Sequence, residues 1–472
     1  MVAISVVGSW AIRAVAFAMK LDAPPSSFGG FNVGLSLPIP LVQLAPHWYA
    51  IFAFWFVCAS LALFGWQAVR ALNAAGCSSL WPVYAGYGAI ALVLTFFSVT
   101  LSIDGYFYTT FARLYGVFGI NPYELASPIP TNDHVLAQEF QLLNNPPFPD
   151  PYGAGFTLLA GLVGRLESGA SLWTMLWTFR IIAVFASLLT LAALAHVLRG
   201  AEPRERVRRV ALVAFHPLML YESGVGGHND FLMVAAALWS YALVDEMPLI
   251  AGLLLGAAIA IKYFAAVLLP FVVLRAARKQ LVAAALIVVL AALVPVLCFH
   301  PFTFGPPGEA TLAKVGSSLS MSLNWLLALP LLAAHAPDAK VRLVQLVIGI
   351  AFLIVALISI VRYARALCNV EIFRTITALL WSLPAMHPWY AAWLIPASAV
   401  SRRWALYAWW FAALSLLLYA HEAVLPTSAN HATFIVVTIF FLVAPLFARF
   451  ASEPVANSRG AGSHPNRAAG PN

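Results

Sequence analysis

Uncharged apolar stretches recur along the whole chain, and several, such as 280–298 and 341–362, are long enough to cross a lipid bilayer. Inside hydrocarbon, a stretch must satisfy its own backbone hydrogen bonds, so each crossing is expected to be a helix. The chain is 62% hydrophobic and only 9% charged, with a mean hydropathy of +0.87. A soluble domain carries roughly 25% charged residues. That shortfall excludes a soluble globular protein, a disordered chain and a nucleic-acid binder. The expectation is one all-α polytopic membrane domain over 1–450, followed by a Gly/Pro/Asn/Ser-rich tail, 451–472, that is disordered and cytoplasmic.

Apolar length and flanking charge together predict about fourteen crossings. They fall near 2–19, 48–70, 82–102, 172–198, 207–223, 231–246, 249–262, 263–275, 280–298, 341–362, 372–386, 389–400, 404–420 and 432–448. Cations gather beside these runs: Arg199, Arg204, Arg206, Arg208 and Arg209; Arg275, Arg278 and Lys279; Arg362 and Arg365; Arg402 and Arg403. This is the positive-inside pattern, so the net charge of +8 reports orientation rather than a polyanionic partner. Both termini are then cytoplasmic. The run 2–19 is taken as a short first span and not a signal peptide, because Arg13 interrupts it and no small-x-small cleavage site follows. Two long loops face outward, 103–171 and 299–340. Within the first, AGFTLLAGLVGRLE at 154–167 cannot cross without inverting every later charge cluster, so it is read as a helix at the outer interface. No internal repeat is evident, which weighs against the duplicated plan of many transporters. Cys58, Cys77, Cys298 and Cys368 are scattered and suggest neither a disulfide framework nor a zinc site.

Ionisable groups at span ends are costly and therefore functional candidates. Asp104 follows the third span; His228, Asn229 and Asp230 sit at an outward junction; Lys262 lies at an outer turn; His300 and His387 occupy two more. Each also has a structural explanation. Asp104 suits the N-cap of a helix beginning near Gly105, and Asn229 and Asp230 suit the cap of a helix starting at Phe231. Lys262 suits snorkelling to headgroups, His387 a packed junction, and Trp389, Tyr390 and Trp393 interfacial anchoring. Asp133, His134 and Asp150 lie in a polar loop where solvated side chains are common. There is no P-loop, GxGxxG or HExxH, GVGG at 224–227 is a glycine turn, and no GxSxG supports a Ser-His-Asp set.

Taken in order, the motifs resemble the GT-C superfamily of integral-membrane glycosyltransferases. Within it the chain looks most like the bacterial polyprenol-phosphate-mannose-dependent alpha-1,6-mannosyltransferases. The resemblance rests on Asp104 and Tyr106 as a D-x-Y pair, NPY at 121–123, DPYGAGF at 150–156, GGHND at 226–230, Lys262 within GAAIAIKYFAAVLLPF and HPWYAAWLIP at 387–396. GLSLPIPLVQL at 34–44 also fits an outward loop of these relatives, while Ala154 stands where the family usually has proline.

The resemblance implies an enzyme of the bacterial cytoplasmic membrane with its site facing outward. Its first long loop would carry the catalytic residue. It would move a hexose, by the family's suggestion mannose, from a polyprenyl-phosphate-sugar to a glycan or glycolipid hydroxyl. A lipid phosphate leaves without a general acid, so the acceptor hydroxyl needs only one positioned base. Asp104 is the candidate, and a single carboxylate suits inversion, since a retaining path wants a second as nucleophile. Lys262, His228 and His387 are candidates for the donor phosphate. Tyr106, Tyr123, Asn229, Asp230, Trp389 and Tyr390 are candidates for sugar and acceptor. No cofactor is firmly implied; a divalent ion, if used, would fall to Asp104 and Asp230. Two other classes stay open: a lipid-linked sugar flippase or secondary transporter, kept alive by the broken helices near 249–275, and an O-antigen ligase- or polymerase-like enzyme. The first predicts charges along a path through the bilayer, the second several outward arginines, for which only Arg113, Arg165, Arg180 and Arg342 are available.

Overall fold

The computed structural model describes residues 47–96, 102, 104–124, 129–130, 132–143, 149–303, 322–334, 338–401, 404–419, 438–439 and 441–443. The expected first span at 2–19, the loop 34–44, most of the span 432–448 and the tail 451–472 lie outside the described residues.

The described elements are helices. α1 (His47–Ala74) and α2 (Trp81–Thr95) come first, and α3 (Asp104–Phe111) continues into a π turn, Ala112–Val117. α4 (His134–Leu143) and α5 (Ala154–Leu166) follow, then α6 (Leu172–Val197), α7 (Pro203–Ala214) and α8 (Pro217–Tyr221), which ends in a second π turn, Glu222–Gly226. α9 (Asp230–Leu243) and α10 (Pro248–Ile261) lead through a 3-10 turn, Tyr263–Leu268, into α11 (Leu269–Ala277) and α12 (Leu281–Phe299). The remainder is α13 (Leu323–Ala333), α14 (Asp338–Ala366), α15 (Asn369–Ser382), a 3-10 turn Pro388–Trp393, α16 (Ala397–Val400) and α17 (Ala405–Ser415). The starts follow local chemistry. Pro203, Pro217 and Pro248 open their helices, where a missing N–H costs nothing. Ser171 caps α6 by accepting from the Thr174 N–H at 3.3 Å.

Three described helices, α6, α12 and α14, are long and apolar enough to cross a membrane. On α14 the residues Leu343, Leu346, Ile350, Leu353, Leu357 and Val361 are all exposed. This spacing forms one greasy stripe along the helix, and water would not tolerate so large a contiguous patch. The chain is a membrane protein. Inside the bundle, polar contacts hold helices together where hydrophobic driving force is weak: the Tyr87 hydroxyl meets Ser187 Oγ at 2.6 Å and Ser223 Oγ at 2.8 Å.

Three sequence expectations are modified. Residues 389–400 do not make one straight crossing; Pro388 and Pro396 bracket a 3-10 turn and the short α16 follows, all packed in the core. A dozen residues of helix reach only ~18 Å, too little for a bilayer core. The long loop 103–171 is largely helical, holding α3, α4 and α5, and the second loop contains α13. The apolar 154–167 segment is α5, packed on the π turn after α3 and on α10 and α12.

Two motifs of the first loop lock together. The Tyr123 hydroxyl donates to the Tyr152 carbonyl at 2.9 Å and meets Thr157 Oγ1 at 2.7 Å. Thr157 Oγ1 lies 2.7 Å from Asp150 Oδ2, and the Tyr152 N–H donates to Asp150 Oδ1 at 2.8 Å. Gly153 then docks this knot on α10: its N–H donates to the Ile261 carbonyl at 3.1 Å, and a Cβ there would stand 2.1 Å from the Ala260 carbonyl oxygen. Gly153→Ala is therefore expected to push α10 away and destabilise the fold by about 1–3 kcal/mol, read as a lowered melting temperature in detergent.

Burial pushes the Asp150 carboxyl up to about 7, with the Tyr152 and Thr157 hydrogen bonds opposing the rise only in part. A raised carboxyl pKa favours the protonated folded form. Its contribution to stability is complete below about pH 4, the unfolded value, and is lost as pH rises through about 7. The melting temperature of the native chain is expected to fall between pH 5 and pH 8 relative to Asp150→Asn. Equal pH slopes for the two would contradict this.

Candidate active site

Four chain segments converge at one end of the bundle. The first is α3, which begins at Asp104, an acidic residue at its positive end. The second is the glycine turn after α8. Gly227 adopts φ 68°, and a Cβ on Gly226 would lie 2.5 Å from His228 Nδ1, so this GG pair is what lets the imidazole fold back on its own helix. The third is the break at Lys262, whose extended backbone (φ −144°, ψ 122°) separates α10 from the 3-10 turn. The fourth is the 3-10 turn Pro388–Trp393.

The side chains form two linked groups. In the first, His228 is fully buried, with Nδ1 2.7 Å from Glu222 Oε2 and Nε2 4.0 Å from Asp104 Oδ2. Tyr419 donates to Glu222 at 2.9 Å. The His228 ring stacks on Trp389 at 4.2 Å and 15°, and Trp389 stacks on His387 at 4.6 Å and 9°. Burial alone would lower the His228 pKa, yet Glu222, Asp104 and Asp230 hold it above its ordinary value. In the second group, Asp230 at the head of α9 accepts from Lys262 Nζ at 2.6 Å and from Trp393 Nε1 at 2.6 Å. Lys262 Nζ lies 5.1 Å from the centre of the Tyr390 ring. Asp104 is 16% exposed, whereas the side chains of Glu222, His228 and Asp230 are fully buried. Asp104 is thus the carboxylate of the cluster that a ligand can reach.

Asp104, His228, Asp230, Lys262, His387, Trp389 and Tyr390 are accordingly brought together. Asn229 joins them by its backbone, whose N–H donates to the Tyr108 hydroxyl at 3.3 Å; its side-chain amide is buried and makes no hydrogen bond among the described residues. Tyr106 and Tyr123 make their observed contacts elsewhere. Tyr106 is buried in the core of α3, α4, α5 and α6, and Tyr123 belongs to the Asp150 knot. Asp133 is structural, pairing with Arg113 and accepting from the Leu136 N–H at 3.0 Å to cap α4. His300 is exposed at the end of α12.

Sequence reasoning missed Glu222, Tyr108 and Tyr419, and it read Trp393, which donates to Asp230, as an interfacial anchor. Glu222 carried a usable signal, being an acid inside an apolar stretch. The two tyrosines, as aromatics among many, carried none.

A family model described as alpha-(1->6)-mannopyranosyltransferase, N-terminal domain (the MptA/B family), matches residues 42–278, just over half of the 472-residue chain. The chain belongs to this family. No curated protein matches the chain. The mannosyltransferase is an enzyme that transfers mannose, and the matched region contains Asp104, Glu222, His228, Asn229, Asp230 and Lys262. His387, Trp389 and Tyr390 come from beyond it and complete the cluster in space.

Proposed function

We propose that the mannosyltransferase acts through one domain over 1–450, taking mannose from a polyprenyl-phosphate-mannose and placing it on a glycan or glycolipid hydroxyl with inversion. Its site faces outward from the bacterial cytoplasmic membrane. The observation that carries the reading is that one reachable carboxylate, Asp104, stands 4.0 Å from a buried histidine, while the other carboxylates of the cluster are enclosed. One accessible carboxylate supports a single displacement. Asp104 takes the acceptor proton as the acceptor oxygen bonds to the anomeric carbon. The bond from that carbon to the phosphate oxygen breaks, and its electron pair leaves with the polyprenyl phosphate.

The departing phosphate gains negative charge beside Lys262, His228 and His387. Lys262 Nζ is held 2.6 Å from Asp230 Oδ2, and its other N–H donors remain for the phosphate. The amide of Asn229, which makes no hydrogen bond among the described residues, suits a sugar hydroxyl, and the half-buried Tyr390 ring suits a C–H surface, while Trp389, stacked on His228 and His387, holds those imidazoles in place. Asp104 and Asp230 do not fit a divalent ion, because Lys262 and Trp393 already engage both Asp230 oxygens. Orientation is supported by the basic residues Arg199, Arg275, Arg278 and Lys279, which meet at the opposite end of the bundle.

The purified protein should transfer radiolabelled mannose from polyprenyl-phosphate-mannose to an α-mannoside, giving an α-1,6 product, and give none from GDP-mannose. Transfer from the nucleotide sugar alone would overturn the donor assignment.

A further inference from the structure

The end of the bundle away from Asp104 holds a polar chamber of about 430 Å³. Arg199, Arg275, Arg278 and Lys279 line it, faced by Asp245. The chamber is a built site rather than a loose fringe of charge. Arg275 Nε donates to Asp245 Oδ2 at 2.9 Å, and its guanidinium lies 4.6 Å from the centre of the Tyr241 ring. Lys279 Nζ is 3.5 Å from Asp245 Oδ1, Arg199 pairs with Glu246, and Arg278 donates to the Ala364 carbonyl. These cations outnumber the two carboxylates, so the chamber keeps a positive excess suited to a phosphate. Basic pockets between helices at the inner side of a membrane recognise anionic headgroups.

A second cavity decides between a soluble anion and a lipid. An apolar slot runs between α9, α11 and α15, lined by Leu268, Phe271, Ile372 and Phe373 among others. Val197, Tyr241 and Asn369 belong to the walls of both cavities, so the slot adjoins the chamber. Its walls also include Phe264 and Trp393, and Trp393 is the residue that donates to Asp230. A soluble phosphate has no use for such a slot, whereas an acyl chain does.

We propose that chamber and slot together hold one anionic phospholipid, with its phosphate among Arg199, Arg278 and Lys279 and an acyl chain in the slot beneath the Lys262–Asp230 pair. This lipid is distinct from the sugar donor, whose phosphate belongs at the other end of the bundle. The proposal is read by binding alone, so its failure leaves the proposed reaction untouched.

The test is native mass spectrometry of the full-length protein in detergent, titrated with dioleoyl phosphatidylglycerol or dioleoyl phosphatidylcholine. The native protein should retain at least five times more phosphatidylglycerol, and millimolar inorganic phosphate should not displace it. The double variant Arg278→Gln/Lys279→Gln, which alters two exposed residues, should lower retention to the phosphatidylcholine level with an unchanged melting temperature. Equal retention of the two lipids, or a preference that survives in the variant, would overturn the proposal. Displacement by inorganic phosphate would reassign the chamber to a soluble anion and likewise overturn it.

Discussion

Asp104→Asn is expected to lower mannosyl transfer about 10³-fold, within the range that a general base contributes, while leaving the KM for the lipid donor nearly unchanged. The substitution keeps the size of the side chain and its place at the head of α3, but it removes the lone pair that takes the acceptor proton. Kinetics on purified protein, with the melting temperature measured alongside, check this directly. A fall smaller than tenfold would reject Asp104 as the base. Glu222→Gln makes a useful contrast. Glu222 is fully buried and reaches the site only through His228, so it is a positioning residue. Its loss is expected to cost about tenfold in kcat and to shift the pH–rate profile, because the imidazole loses the neighbour that favours its charged form. A purely structural Glu222 would lower stability and leave the shape of that profile alone.

The second large effect concerns the buried ion pair. Lys262→Met strands the Asp230 carboxylate in the core with Trp393 as its remaining partner, at an expected cost of ~3–5 kcal/mol. Lys262→Met/Asp230→Asn removes both charges and keeps a group that accepts from Trp393, so its melting temperature should return close to native. Transfer should not return with it. The donor KM is expected to stay roughly 10- to 100-fold high in both variants, the loss of a charge-assisted hydrogen bond to the phosphate. Recovery of both stability and KM in the double variant would mean that Lys262 serves the fold alone.

Much of the helical plan was legible in the residues. The runs at 172–198, 280–298 and 341–362 reappear as α6, α12 and α14, because an uncharged run of that length has few stable options in a bilayer. The break at Lys262 was legible too, as two apolar runs meeting at one cation. The crossing at 389–400 misled, because apolar composition cannot distinguish a lipid-facing helix from a short turn buried between helices. Within the site, the charged members stood out since charge near hydrocarbon is costly and therefore rare. The aromatics did not. Tyr106 and Tyr108 differ by two positions on one helix, and only packing decides that Tyr108 meets Asn229.

By itself, then, the sequence determined that this is a helical membrane protein with its basic clusters beside one set of span ends. It also marked the acids, histidines and lysine that the opposite ends carry. These follow from the free energy of placing charge and unpaired backbone in hydrocarbon, which each segment meets on its own. Only the tertiary structure decided that Glu222 stands behind His228, that Asp230 is spent on Lys262 and Trp393, and that Asp104 alone among these carboxylates stays reachable. Those relations join residues from α3, α8, α9, the turn after α10 and the Pro388–Trp393 turn, and distances across such gaps are set by packing that no local pattern encodes.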